Sequence, residues 1–255
     1  MIRHYVAQCT RLTCLVGCLL LSACTTNLPN NQLAAEDLKA IKNYPALIKH
    51  YKQALQVSAN DPLIMLNLAE SYWLANDIES AQFYVEQLQQ QHYQNAKLYY
   101  LAANIASESG HYQQAIADLK QAQQLGYKHS DLFIKLGIAY TYNQDYQLAK
   151  QAFNQARLLG HDEIGVKNNL AVMYIAQGED QVAVDLLYPL YLQQPKLEKI
   201  KVNLAIALLK QGNQQLAQHI LGRQLSAQQL EQLQAALTRN VPVPNQQQDV
   251  DHEQI

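Results

Sequence analysis

The chain has 255 residues, of which 49% are hydrophobic and 16% charged, and its formal net charge is −2 at pH 7. A balance this close to neutral supplies no basic surface for nucleic acid, so we expect no nucleic-acid partner. Three of the four cysteines, Cys9, Cys14 and Cys18, precede a predicted cleavage site, which leaves Cys24 as the only cysteine of the mature chain. This usage excludes an intramolecular disulfide and a cysteine metal centre.

The first 23 residues are typical of a bacterial signal peptide. Two arginines, Arg3 and Arg11, precede an apolar run of about a dozen residues, whereas a helix that crosses a bilayer needs roughly 20. The run ends in Leu21-Ser22-Ala23-Cys24, which matches the lipobox, and its leucine fits that motif better than an ordinary cleavage site. We therefore predict a lipoprotein signal peptide over residues 1–23 and lipidation at Cys24.

Lipidation would hold the mature chain on a membrane. Because one acyl chain anchors only marginally, stable attachment needs the several chains that such lipoproteins carry. Thr25 follows Cys24 where lipoproteins retained in the inner membrane carry Asp, and this resemblance implies the periplasmic face of the outer membrane. Residues 24–31 are predicted to form a short linker. Cleavage removes two of the 19 Lys and Arg, which leaves 17 against 21 Asp and Glu, a net charge of −4.

From Pro62 onward the same pattern of small residues recurs every 34 residues. Each period predicts a first helix with a pair such as Leu68-Ala69 on one face, a turn, and a second helix with an alanine followed four residues later by a larger apolar residue. Small residues let the two helices approach closely while the larger ones fill the space beside them. The periods begin at Pro62, Ala96, Ser130, Ile164 and Glu198; the alanines are Ala81, Ala115, Ala149, Ala183 and Ala217; the larger residues are Val85, Leu119, Phe153, Leu187 and Leu221.

This pattern resembles the tetratricopeptide repeat. The resemblance implies an all-α fold, a right-handed superhelix (α-solenoid) of helix-turn-helix pairs, over residues 32–240. We assign five clear repeats to 62–231, one degenerate N-terminal repeat before them, and a C-terminal capping helix at 227–239 with Ser226 as its N-cap. The Pro, Gln and acidic composition of 241–255 predicts a disordered tail.

The sequence segments that resemble enzyme motifs are explained better by the repeat pattern. The glycines of Gly160-His161-Asp162-Glu163-Ile164-Gly165 have phosphate-loop spacing, but no Lys-Ser/Thr follows and no strand precedes them. In His129-Ser130-Asp131 the three triad residue types are adjacent, whereas a triad assembles in space; Ser130 is expected to cap a helix instead. The histidines are scattered without HExxH spacing. We expect a protein that is not an enzyme, with no cofactor, no metal and no small-molecule substrate.

A binding surface remains as the functional hypothesis. In the tetratricopeptide-repeat family the first helices line a concave groove through repeat positions 2, 5, 9, 12 and 13, which implies binding of a helix or extended peptide. The alternative is that some of these residues are inter-repeat core. Trp73 and Tyr142 are the strongest candidates, because large aromatics concentrate in interface hot spots. Leu66 and Glu70 stand where the family's carboxylate clamp needs Lys and Asn, which argues against that mode. The candidate groove residues are Trp73, Tyr100, Asn104, Ile134, Ile138, Tyr142, Asn168, Val172 and Ile175.

The last two repeats carry a more particular pattern: Asn168-Asn169-Leu170-Ala171, Gln177-Gly178, Lys201-Val202-Asn203-Leu204-Ala205-Ile206-Ala207, Gln211-Gly212-Asn213 and Leu225-Ser226-Ala227-Gln228-Gln229. It resembles the TadD-like lipoproteins of the tight-adherence (Flp) pilus machinery. That resemblance implies an interaction scaffold in pilus biogenesis that assists assembly or localisation of the outer-membrane secretin, with the secretin or another pilus component as partner. The alternatives are a pilotin-like lipoprotein of the type IV pilus and an adaptor that scaffolds peptidoglycan hydrolases.

Overall fold

The computed structural model describes residues 30–222 and 226–239. The predicted signal peptide 1–23, Cys24 and the tail 241–255 lie outside the described residues. Within the described ranges the chain forms 13 α-helices and no β-strand, and none of these helices is long and apolar enough to cross a membrane. The helices are α1 (Asn30–Ala40), α2 (Tyr44–Val57), α3 (Pro62–Leu74), α4 (Ile78–Gln90), α5 (Ala96–Glu108), α6 (Tyr112–Gln124), α7 (Ser130–Tyr142), α8 (Tyr146–Leu158), α9 (Glu163–Gln177), α10 (Asp180–Gln193), α11 (Glu198–Lys210), α12 (Gln214–Leu221) and α13 (Ala227–Arg239).

The helices stack as consecutive pairs. Each helix up to α12 packs against the next one in the chain, and the first helices of successive pairs, α3, α5, α7, α9 and α11, also pack against one another in order. The first helices therefore form one continuous layer of the superhelix, and the second helices form the other. A core of this kind runs along the stack instead of closing around one centre.

Helix starts follow the sequence period with two exceptions. α9 begins at Glu163, one residue before the predicted Ile164, because the Asp162 side chain caps it by accepting a hydrogen bond of 2.7 Å from the Gly165 backbone N–H. α1 begins at Asn30, inside the segment predicted to be a linker. The expected capping role of Ser130 is wrong: His129 occupies the N-cap of α7, and the Ser130 hydroxyl lies 3.3 Å from His161 Nδ1.

The core repeats with the sequence. The five second-helix alanines are all completely buried, because each lies where its helix crosses a first helix and any larger side chain would push the two apart. The third repeat exchanges sizes across this contact: Gly137 stands where the other repeats have Ala69, Ala103, Ala171 and Ala205, and the facing residue is Phe153 instead of Val or Leu. A Cβ added at Gly137 would overlap the Phe153 ring.

The C-terminal end of the stack is covered by α13, which packs against α11 and α12. Ser226 and Gln229 form a reciprocal capping box: the Ser226 hydroxyl accepts from the Gln229 backbone N–H at 3.2 Å, and the Gln229 side chain accepts from the Ser226 backbone N–H at 2.9 Å. Leu230 is completely buried in the last core cluster. This helix removes from solvent the apolar face that the final repeat would otherwise expose.

Candidate partner-binding groove

The residues at the ninth position of each repeat lie in the first helices, along the groove. These residues are one period apart, so they form a row along the layer of first helices: Glu70, Asn104, Ile138, Val172 and Ile206. The row is polar in the first two repeats and aliphatic in the last three. We call α3 and α5 with their side chains the polar half, and α7, α9 and α11 the aliphatic half.

Ionic contacts organise the start of the polar half. Glu70 accepts hydrogen bonds of 2.8 Å from both Lys39 and Lys97, and Lys97 also donates to Asn67 at 3.3 Å. Burial alone would raise the pKa of Glu70, but the hydrogen bonds and charges of the two lysines hold it below its ordinary value. Glu70 is therefore an anion at neutral pH that ties α3 to α1 and α5. A cavity of about 510 Å³ opens beside it, between α1, α2 and α3.

Tyr100 and Asp131 link α5 to α7. The Tyr100 hydroxyl donates a 2.6 Å hydrogen bond to Asp131 Oδ2, and the Tyr100 ring stacks on Tyr127 with centroids 4.3 Å apart. Burial, the hydrogen bond to Asp131 and its charge all raise the pKa of Tyr100, and burial with the same charge raises the pKa of Tyr127 to about 12. Both phenols therefore stay protonated under physiological conditions, and Tyr100 serves as a donor.

Trp73, near the C-terminal end of α3, connects α3 to α5 within the polar half. Its indole N–H donates a 2.9 Å hydrogen bond to Glu108 at the end of α5. The ring is half-buried and packs against the core cluster of the first repeats. Such a side chain offers an apolar face to a partner while its polar atom already has an acceptor.

The aliphatic half presents a stripe of partly accessible side chains. Ile138, Val172 and Ile206 are each half-buried, and Val202 on α11 is 39% exposed. Ile175, one turn beyond Val172 on α9, is also half-buried. These side chains carry no charge and no hydrogen-bonding group, so burial of apolar area is the means of binding that this surface offers.

Along the turn edge, the first residues of α6, α8 and α10 contact the last turn of the following first helix. Tyr112 stacks on Tyr142 with centroids 4.6 Å apart and planes 7° from parallel. One repeat later the Tyr146 hydroxyl donates to the Ala176 carbonyl at 3.1 Å, and one repeat after that Asp180 pairs with Lys210 at 3.1 Å. Equivalent positions thus join neighbouring repeats by three different interactions.

The structure places the predicted groove residues in three environments. Asn104, Ile134 and Asn168 are buried, so for these three the inter-repeat alternative describes their position. Tyr142 is 61% exposed although stacked on Tyr112. Trp73, Tyr100, Ile138, Val172 and Ile175 are half-buried along the layer of first helices.

Two of the buried predicted residues serve the stack itself. The Asn104 side chain donates to the Tyr100 backbone carbonyl at 2.9 Å, and Asn168 Oδ1 accepts from the Asn203 side chain at 2.8 Å, which joins α9 to α11. Sequence reasoning missed Lys97, which pairs with Glu70, and Tyr127, which follows α6 and stacks on Tyr100. The signal was available for Lys97, because it occupies repeat position 2, which is one of the groove positions.

Among the described residues, no group of three His, Cys, Asp or Glu side chains is placed to hold a metal ion. The exposed and half-buried residues of the groove are aromatic, aliphatic or already ion-paired. The arrangement therefore offers shape, apolar area and a few charges, which are the means of binding another chain.

Comparisons with known proteins agree with this architecture. Residues 96–125 match the family model described as tetratricopeptide repeat, and no curated protein matches the sequence. A tetratricopeptide repeat protein from Parabacteroides merdae is similar in structure, with a TM-score of 0.66, 15% identity, and coverage of 82% of this chain and 84% of that one. The pilF protein of Pseudomonas aeruginosa gives a TM-score of 0.61 at 16% identity, covering 81% of this chain and 95% of that one.

YrrB, described as a tetratricopeptide-repeat protein with an unusual peptide-binding site, gives a TM-score of 0.52 at 18% identity, covering 74% of this chain and 95% of that one. Identities this low establish the fold alone. The chain therefore has the all-α fold of a tetratricopeptide-repeat solenoid, and its segment 96–125 matches the repeat's family model.

Proposed function

We propose that this protein is a protein-interaction scaffold, anchored by lipid on Cys24 to the periplasmic face of the outer membrane, that assists secretin assembly or localisation in the biogenesis of a tight-adherence (Flp) pilus. Tetratricopeptide repeats suggest such a scaffold in general terms. The location and the pilus partner rest on the lipobox and on the sequence pattern of the last two repeats.

One observation carries the binding part of the proposal. Ile138, Val172 and Ile206 occupy the same repeat position on three consecutive first helices and are only half-buried. A fold that needed them only as core would bury them as completely as it buries the second-helix alanines. A helical or extended segment with an apolar face fits this row, and the polar half beside it orients that segment by charge. YrrB, which shares the fold, is described as having a peptide-binding site.

The anchor supplies the second part of the mechanism. A lipid confines the superhelix to the same membrane surface as an outer-membrane partner, which raises the effective concentration of the two. A modest intrinsic affinity of the groove then suffices for capture. We expect Cys24→Ser to abolish metabolic labelling with a palmitate analogue and to release the protein from the membrane fraction.

The test is a crosslinking pull-down from whole cells with the native lipoprotein. The groove variant carries Ile138→Gln and Val172→Gln, which keep helix propensity and remove apolar contact area. The matched control carries Leu148→Gln and Val182→Gln, two second-helix residues with similarly exposed side chains, 43% and 37%. We expect the native chain and the control to recover a secretin, and the groove variant to lose at least nine-tenths of it.

Other outcomes separate the alternatives. Recovery of peptidoglycan hydrolases instead of a secretin would replace the pilus role by the adaptor role. A secretin of the type IV pilus would favour the pilotin-like role. Retention of the same secretin by the groove variant, with thermal unfolding showing that both variants fold, would move the binding site away from the aliphatic half.

A further inference from the structure

A small anionic cavity lies on the side of the second helices, away from the groove. Its volume is about 160 Å³, and it opens between α4, α5 and α6. Glu86 and Asp118 contribute carboxylates, Gln82, Gln89 and Gln114 contribute carboxamides, and His111 lies at the edge. Among the residues that the structure describes, no lysine or arginine lines this cavity.

Asp118 is the unusual member of this lining. It is 6% exposed, and its only hydrogen bond is accepted at Oδ2 from Gln114 at 3.1 Å. Among the described residues no cation pairs with it. Burial raises the pKa of Asp118, and the hydrogen bond from Gln114 opposes this only in part.

The repeat itself shows that the fold does not require a carboxylate here. One, two or three periods away, the same position holds Tyr84, Ala152, Leu186 and Ile220. Burying a carboxylate without a cation costs free energy that an aliphatic side chain would not. A residue that lowers the stability of the fold in this way is expected at functional sites.

We infer that this cavity, which we call the Asp118 cavity, receives a lysine or arginine side chain of a protein partner. The lining offers a cation the carboxylates of Asp118 and Glu86, each of which accepts one hydrogen bond from a glutamine, beside the apolar side chains of Val85, Ala102 and Ile105. Its volume equals that of about five water molecules, enough for one head group and part of its stem but too little for a folded segment. The planar fork of arginine matches such an arrangement best, because it donates to several acceptors at once.

The inference does not depend on the groove. The Asp118 cavity is lined by α4, α6 and a part of α5 that carries none of the candidate groove residues. A partner that wraps the edge of the first two repeats contacts both surfaces, and a separate partner contacts the cavity alone. Failure of either binding experiment leaves the other interpretable.

The test is an NMR titration of the protein lacking residues 1–23 with Nα-acetyl-arginine amide, using Nα-acetyl-citrulline amide as the neutral isostere. We expect saturable shifts of α4–α6 amides with a dissociation constant on the order of 1–10 mM, no saturation with citrulline, and at least a tenfold weakening in Asp118→Asn. Asp185→Asn is the matched control, because Asp185 also accepts from a glutamine four residues earlier but is exposed.

Two further readouts distinguish a binding role from a structural one. Bound arginine amide should lower the pKa of Asp118, followed by the ¹³C shift of its carboxyl carbon. Asp118→Leu restores the apolar residue type of the other repeats, so we expect it to fold with a raised melting temperature and to lose arginine binding. Equal binding by Asp118→Leu and the native chain, equal binding of citrulline, or no saturable binding at all would overturn the inference.

Discussion

The first two repeats and the last three use one backbone position for opposite purposes. At the ninth position of the repeat, Glu70 and Asn104 make hydrogen bonds within the stack, whereas Ile138, Val172 and Ile206 make none with their side chains. The polar half is therefore already satisfied by its own neighbours. The aliphatic half is the one whose side chains gain most from a partner.

This difference shows which positions the fold controls. The second-helix alanines are buried in every repeat because helix crossing leaves no space there, and all five repeats keep them. Groove positions face solvent or a neighbouring repeat, so the fold accepts a glutamate, an asparagine or an isoleucine. Groove residues can therefore vary to suit a partner with little loss of the stability of the stack.

The largest predicted effect comes from the contact between α7 and α8 of the third repeat, the first repeat of the aliphatic half. Gly137→Ala places a methyl group against the Phe153 ring. Overpacking costs about 1–3 kcal/mol and outweighs the gain of about 0.5–1 kcal/mol from removing a helical glycine. We expect a net loss of about 1–2 kcal/mol and a lower urea m-value, because the halves unfold less cooperatively.

The compensating variant controls for a general defect of the helix. Gly137→Ala with Phe153→Leu recreates the alanine–leucine pair found in other repeats, such as Ala103 with Leu119. We expect it to recover at least half of the lost stability. A double variant no more stable than Gly137→Ala would show that the paired change of size does not explain the glycine.

The sequence predicted the stack more fully than the groove, for a physical reason. Helix pairs follow from a strict period of small residues, and Ala81 or Ala217 has one place to go in such a fold. Exposure of a groove residue depends on its neighbours one repeat away, so Asn168 is buried by Asn203, which no local pattern reveals. The sequence alone shows that Asp118 differs from the residues at the same position of the other repeats. Only the structure shows that this position is buried, which makes the difference informative.

The second prediction concerns the ionic contacts of the polar half. The pKa of Glu70 lies below its ordinary value of 4.5, so its anion stabilises the fold above that pH, and the contribution is lost as the pH falls through the lowered value. We expect Glu70→Gln to cost about 1 kcal/mol at neutral pH, since each lysine loses a charged acceptor. Urea unfolding at pH 7 and at about pH 3 should show this difference shrinking towards zero in acid.

An exposed ion pair in the aliphatic half provides the comparison. Glu198 pairs with Lys201 at 3.1 Å, but its side chain is 58% exposed. Solvent screens such a pair, so we expect Glu198→Gln to leave both stability and its pH dependence unchanged. Equal losses in the two variants would mean that burial of Glu70 does not matter.

The smallest predicted effect concerns the turn edge. There the earlier repeats are joined by stacked aromatic rings and the later ones by an ion pair, the opposite of the order found in the groove. A double-mutant cycle of Tyr112→Ala and Tyr142→Ala should give a coupling of about 0.5 kcal/mol, at the low end for aromatic pairs because Tyr142 is largely exposed. A parallel cycle of Asp180→Asn and Lys210→Met measures the ion pair at the equivalent position.

The salt dependence of the coupling energy distinguishes the ion pair from the aromatic stack. Raising the ionic strength from about 0.01 M to about 1 M shortens the Debye length from about 30 Å to about 3 Å. Because the Asp180 and Lys210 side chains are only 16% and 14% exposed, salt screens this pair incompletely, so its coupling should fall only in part, while the Tyr112–Tyr142 coupling should not change. If both couplings fell together, the stacked tyrosines would owe their contact to the charges around them, and the turn edge would be electrostatic along its whole length.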